Sequence, residues 1–172
     1  MFGWRDGDAP DGVWSVEEHS ITGRGEEADI LFTAMPWIDG VLTLEFKMDA
    51  GGNSGVYFRV GDLASPVKTG IEAQILDSSG KKGKMTAHDH GGIIGTVGAL
   101  KNMSKPPGEW NRMIVTCIGS HLQLELNGEK IVDIQLDQTT LKDRSRKGHI
   151  GLQDHGQPND IKFRRIRIRE LP

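Results

Sequence analysis

From Val13 to Ile168 the chain runs in short apolar or alternating stretches broken by Gly, Asn, Asp and Pro, and no segment keeps a helical period over three turns. A chain patterned this way buries its apolar side chains as strands, so an all-β fold is expected. The clearest unit is a hairpin. Leu122, Leu124 and Leu126 alternate with Gln123 and Glu125, Asn127-Gly128 supplies the two positive-φ positions of a type I′ turn, and Val132, Ile134 and Leu136 alternate again. Many short strands in 172 residues predict a single domain over residues 1–172, built as a two-sheet antiparallel sandwich or jelly roll. The 23 glycines suit tight turns rather than long helices.

The last strand changes phase: Ile161 and Phe163 alternate one way, Ile166 and Ile168 the other, which predicts a bulge near Arg164-Arg165. Its basic residues, Lys162, Arg164, Arg165, Arg167 and Arg169, form a charged outer face or, alternatively, a polyanion site. The polar segment 137–147 has room for a helical turn.

Composition excludes several classes. A net charge of -3 gives no whole-molecule attraction for a polyanion, which argues against nucleic acid as a partner. No apolar stretch approaches membrane-spanning length, and Met1 to Asp6 lacks the apolar core of a secretion signal, so a soluble protein is expected. Cys117 is the single cysteine, in an apolar strand-like run, so no intrachain disulfide forms and a buried, inert thiol is expected. With no nucleophile elbow elsewhere, a Ser or Cys hydrolase is set aside.

What remains is a pattern of reactive side chains at one phase. In Val56 to Val60, Ile71 to Ile75 and His149 to His155, the period of two places apolar residues on one face. On the other it places Tyr57 and Arg59, Glu72 and Gln74, and His149, Gln153 and His155. The run Leu42 to Met48 carries only Thr, Glu and Lys at such positions, as a solvated face does. Arg, Glu, Gln and His together point to a ligand site. A Gly-rich stretch from Ser78 to Gly108 interrupts the strand rhythm, and loops of that length are often functional. It holds His88-Asp89-His90. If that segment is extended, the two histidines point the same way and, with His155 or Glu72, could hold a divalent ion. Among the tryptophans, Trp110 beside this stretch could stack on a sugar, while Trp4, Trp14 and Trp37 read as core.

At these residues the chain resembles the 3-keto-disaccharide hydrolase domain family, formerly a domain of unknown function, with a concanavalin-like jelly roll. The resemblance rests on Gly51 to Arg59, Gly70 to Asp77, Lys105 to Asn111, Leu126-Asn127-Gly128, Gly148 to Gly156 and Phe163 to Ile168, in family order. The chain departs from the family at Ile94, where relatives commonly carry Tyr, and in its opening before the first tryptophan. The resemblance implies cleavage of a glycoside already oxidised to a ketone at carbon 3, as hydrolase or lyase. A base removes the carbon 2 proton, the enolate expels the group at carbon 1, and water adds or the unsaturated sugar leaves. It also implies a carbohydrate substrate and a periplasmic or secreted location. A non-catalytic carbohydrate-binding module on the same jelly roll is the alternative.

Such a reaction needs a base, an acid and an enolate stabiliser. Glu72 is the candidate base, or else a structural carboxylate paired with Arg59. His155 is the candidate acid or second base, or else a turn histidine before Gly156. Arg59 would hold the enolate through its fork of donors, or else be a buried partner of Glu72 or Asp77. Tyr57, Gln74, Gln153, Asn53, Asp77, His88, His90 and Trp110 complete the candidate substrate site. Asp77 could orient a histidine or start an Asx turn, and Asn53 could form a loop lip or a tight turn.

Overall fold

The computed structural model describes residues 3–5, 13–23, 27–156 and 160–171. Among these residues, twelve strands run in chain order as β1 (Trp4–Arg5), β2 (Trp14–Glu17), β3 (Ser20–Gly23), β4 (Ala28–Thr33), β5 (Gly40–Met48), β6 (Asn53–Val60), β7 (Ile71–Leu76), β8 (Asn111–Ile118), β9 (His121–Leu126), β10 (Glu129–Gln135), β11 (His149–His155) and β12 (Ile161–Glu170). One four-residue helix, α1 (Pro66–Thr69), joins β6 to β7, and a 3-10 turn, Leu136–Gln138, opens the polar segment after β10. The strands pair antiparallel in two sheets. One has five strands in the order β1-β4-β11-β6-β7, the other seven in the order β10-β9-β8-β5-β12-β3-β2. Among the described residues no helix is long and apolar enough to cross a membrane, which says nothing of a strand barrel.

Alternation decides what lies between the sheets. On β5, Leu42, Leu44, Phe46 and Met48 point inward with Met113, Val115 and Leu124, and meet Val56, Phe58, Ile71, Ala73, Ile75 and Leu152 of the other sheet in one core. Burying each of the Val, Leu, Ile, Phe and Met side chains among them contributes about 1.5–3 kcal/mol. The hairpin forms where the sequence places it: β9 and β10 turn through Asn127 at φ 53° and Gly128 at φ 89°. Asn127 also uses its side chain, donating to Met103 O and Asn111 Oδ1 and accepting from Arg112 N, so the turn residue anchors the loop that precedes β8. The β12 bulge is present too. Its register with β5 shifts between Arg164 and Arg167, with Arg165 at φ 52°. Ile166 and Ile168 thereby return to the core side.

The stretch from Asp77 to Trp110 holds no named helix or strand, yet it is tied down. Gln74 N donates to Gly92 O, Gly91 N to Gln74 O and Ile94 N to Glu72 O, so residues 91–94 run beside β7 as a short extra edge. Asp89 accepts Lys81 Nζ on both carboxylate oxygens and Thr86 N on one. His90 is fully buried: its Nδ1 lies 2.9 Å from Leu76 O, its ring 5.4 Å from the Phe46 ring, and Nε2 has no hydrogen-bond partner among the described residues. Burial pushes its pKa down to about 4, against the opposing effect of the Leu76 hydrogen bond and Asp77. The folded state thus holds His90 neutral while the unfolded chain takes up a proton below about 6.5. This depressed pKa contributes stability present above pH 6.5 and lost as pH falls toward 4, up to about 3 kcal/mol. Denaturant midpoints across that window should fall in the native protein. His90→Gln should flatten that fall, and equal slopes in both would remove His90 as its source.

Candidate functional site

Cross-strand partners share a face, so the register of the five-stranded sheet fixes which outward side chains meet. One transverse row runs Ile94, Glu72, Tyr57, Gly151, Phe32. The next runs Gly92, Gln74, Gly55, Gln153, Ile30, with Asn53 and His155 one step further along their strands. Tyr57, Glu72, Gln74, Gln153, Asn53 and His155 therefore stand on one outward face.

Within it Tyr57 Oη donates to Glu72 Oε2 at 2.7 Å, Gln153 Nε2 approaches Tyr57 Oη at 3.5 Å, and Gln74 Nε2 donates to Asn53 Oδ1 at 3.0 Å. Glu72 Oε1 has no hydrogen bond to the described residues. It leans over Gly55, where a Cβ would stand 2.4 Å away, so only glycine leaves the carboxylate its place. Burial raises the Glu72 pKa, opposed by the Tyr57 hydrogen bond and by the nearby His155 and His88. The Tyr57 phenol, raised by burial and by the Glu72 charge, stays protonated and acts as a donor. A partly desolvated carboxylate with one oxygen held by Tyr57, the other without a hydrogen bond to the described residues and two exposed histidines near it is placed to accept and return a proton.

The remaining candidates lie elsewhere. Arg59 was expected beside Tyr57, but its backbone is left-handed at φ 54°, and the β6–β11 register shifts between His149 and Gly151. The shift resets the alternation. Val60 packs with Tyr57 and Phe32 on the outward face, while Arg59 turns the other way and is 4% exposed. Its partners are Asp39 Oδ1 at 2.8 Å, Gly119 O at 2.7 Å and Ile38 O at 3.3 Å, not Glu72 or Asp77. It lines a small, mostly apolar cavity of about 40 Å³ between the sheets, with Trp37, Leu42 and Cys117. The Cys117 thiol is pushed up to about 11 by burial.

His88 and His90 do not point the same way. Residues 87–91 form turns rather than extended chain, leaving His88 exposed near Glu72 and His90 in the core. Among the described residues no group of three or more His, Cys, Asp or Glu is arranged to hold a metal. Asp77 makes an Asx turn, accepting Ser79 N and Oγ on Oδ1 and Gly51 N on Oδ2. His149 faces Thr33 O at 2.7 Å at the far end of β11. Trp110 sits on the outward face of the seven-stranded sheet, its ring 3.7 Å from the Arg164 guanidinium carbon and 5.1 Å from Lys47 Nζ, across the molecule from Glu72. Trp14 is buried and donates to Asp29 Oδ2, while Trp4 and Trp37 pack against the core.

Sequence reasoning passed over Gly55 and Asp39, and it noted Ile94 only as a departure from the family, not as a neighbour of Glu72. Gly55 stood in the alternation between Asn53 and Tyr57 and could have been read as a notch in the row. Ile94 walls Glu72 through a backbone pairing that no pattern announces. Asp39, the partner of Arg59, carried no signal.

The model of the 3-keto-alpha-glucoside-1,2-lyase-like domain family matches residues 1–169. A 3-keto-disaccharide hydrolase of Bacteroides thetaiotaomicron is 27% identical, the match covering 98% of this chain and 74% of that protein. A crystal structure of a provisionally named glycosyl hydrolase from Parabacteroides distasonis superposes with a TM-score of 0.86 at 28% identity, covering 98% and 99% of the two chains. A carbohydrate-binding module from Bacillus subtilis shares the fold, with a TM-score of 0.67 at 14% identity over 99% of this chain and 97% of that one.

Proposed function

The chain belongs to the 3-keto-alpha-glucoside-1,2-lyase-like domain family, and on that premise we propose that it cleaves the glycosidic bond of small 3-keto-glycosides by elimination across carbons 1 and 2. The observation that carries this proposal is the Glu72 carboxylate, with Oε2 held by Tyr57 and Oε1 free above Gly55. Glu72 Oε1 takes the proton from carbon 2, made acidic by the neighbouring ketone. The electron pair of that C–H bond becomes the carbon 2–carbon 3 double bond of an enolate, with negative charge on the carbon 3 oxygen. Collapse restores the ketone, forms the carbon 1–carbon 2 double bond and breaks the bond from carbon 1 to the leaving oxygen, which takes a proton from His155. Water then adds across the new double bond to give the free 3-keto-sugar, or the unsaturated sugar departs.

With Arg59 in its ion pair with Asp39, the enolate oxygen falls to His88 and the amides of Gln74 and Asn53. Two flanking carboxylates, as in ordinary glycosidases, are not required here, because the ketone rather than an oxocarbenium ion carries the developing charge.

The test is to incubate the protein with a 3-keto-glucoside and with its unoxidised parent in deuterated water. Release of the aglycone from the ketone substrate alone, with deuterium at carbon 2 of the recovered sugar, is expected. Binding of the parent without turnover of either compound would instead leave a carbohydrate-binding module. Tyr57→Phe gives a second readout. The phenol lowers the pKa of Glu72, so its removal should move the acid limb of kcat/KM to higher pH. An unmoved limb would mean that another group titrates there.

A further inference from the structure

We propose that the outward face of β12 and β5, on the opposite side of the molecule from Glu72, is a docking surface for an acidic, uronate-bearing polysaccharide. The overall charge of -3 conceals a segregation. Because the Arg165 bulge keeps the apolar residues of β12 inward, Lys162, Arg164, Arg165, Arg167 and Arg169 all face outward, joined by Lys47 of β5. The outward positions of these two strands carry one carboxylate, Glu45, which binds Arg164 Nε at 2.7 Å and Arg165 at 3.0 Å. Lys47, Lys162, Arg167 and Arg169 have no ion-pair partner among the described residues.

Lys47 and Lys162 are direct cross-strand partners. Like charges so placed are destabilising, and an external anion would relieve them. The cations from Lys162 to Arg169 span about 23 Å of extended strand, the length of a short oligosaccharide rather than of a single ion. Arg165 is 67% exposed in its place on this row. Two features favour an acidic sugar over another polyanion. Arginine forks match carboxylates in two-point contact, and the half-buried Trp110 ring, stacked against the Arg164 guanidinium and Lys47, holds two cations of the row in place for a ligand.

Native gels cast with polygalacturonate, dextran sulfate or neutral dextran, with duplex DNA as competitor, test this directly. Retardation by polygalacturonate and not by neutral dextran is expected, weakening with salt. The double substitution Arg167→Glu with Arg169→Glu should lower the affinity by on the order of tenfold or more. Trp110→Ala should lower it severalfold for polygalacturonate. Melting curves and turnover of a small 3-keto-glycoside should be unchanged in the charge-reversed protein, since those residues stand far from Glu72. Absence of retardation, an unaffected double variant, or equal binding of DNA or dextran sulfate per unit charge would overturn the proposal, the last by reducing it to a generic attraction for anions.

Discussion

Glu72→Gln is expected to lower turnover of a 3-keto-glycoside by on the order of a hundredfold or more, while leaving the binding of an unoxidised sugar within a small factor. The substitution keeps the shape and keeps an oxygen for Tyr57 Oη, which now donates to Oε2 at 2.7 Å. It removes only the basicity of the oxygen above Gly55. In the native protein kcat/KM should rise with pH as Glu72 ionises, at a pH above the ordinary carboxylate range because burial raises its pKa. The variant should lose that limb. Should it turn over normally, Glu72 is not the base. If binding and turnover fall together, Glu72 holds the ligand and the base lies at His155, since Asp77 is engaged in its turn.

Arg59→Met is expected to have the largest effect on stability, a loss of about 2–3 kcal/mol, because it removes the charged hydrogen bonds of a buried guanidinium and leaves the partly exposed Asp39 without its cation. Asp39 would lose Arg59 Nη2 and keep Gly119 N, and the carbonyls of Gly119 and Ile38 would lose their donors. Chemical denaturation measures the loss. At a temperature where the variant stays folded, its turnover should be close to native, since the guanidinium points away from the Glu72 face. A variant that folds normally but loses turnover would return Arg59 to the reaction. The comparison with Glu72→Gln is informative because the two residues sit on adjacent strands, both read from sequence as catalytic, and should fail in opposite ways.

The difference between them shows where a sequence pattern stops. Alternation is a local property of extended backbone. It correctly grouped Tyr57, Glu72, Gln74, Gln153 and His155 on one face because β6, β7 and β11 stay regular through those positions. It misplaced Arg59 because one left-handed residue resets the phase, and Arg is not a residue whose presence announces φ 54°. The β12 bulge was legible for the converse reason: there the apolar residues on both sides of the break record the change of phase.

Residues in the long loop followed no period at all. His88 and His90 looked equivalent as an i, i+2 pair, yet a turn capped by Asp89 sends one to solvent and the other against Phe46. Trp110 lies next to that loop in sequence but belongs to the other sheet, where Arg164 and Lys47 hold it.

By itself the sequence determined the all-β class, the Asn127-Gly128 hairpin, the β12 bulge and the facing of most polar side chains, since each follows from turn chemistry or from the period of two within a few residues. Only the tertiary structure decided that Gly55 makes room for Glu72, that Asp39 claims Arg59, that Ile94 walls the site and that Trp110 stands behind the molecule. Those relations join residues distant in the chain, Asp39 and Arg59 by 20 positions, through strand order and register, which no local pattern carries.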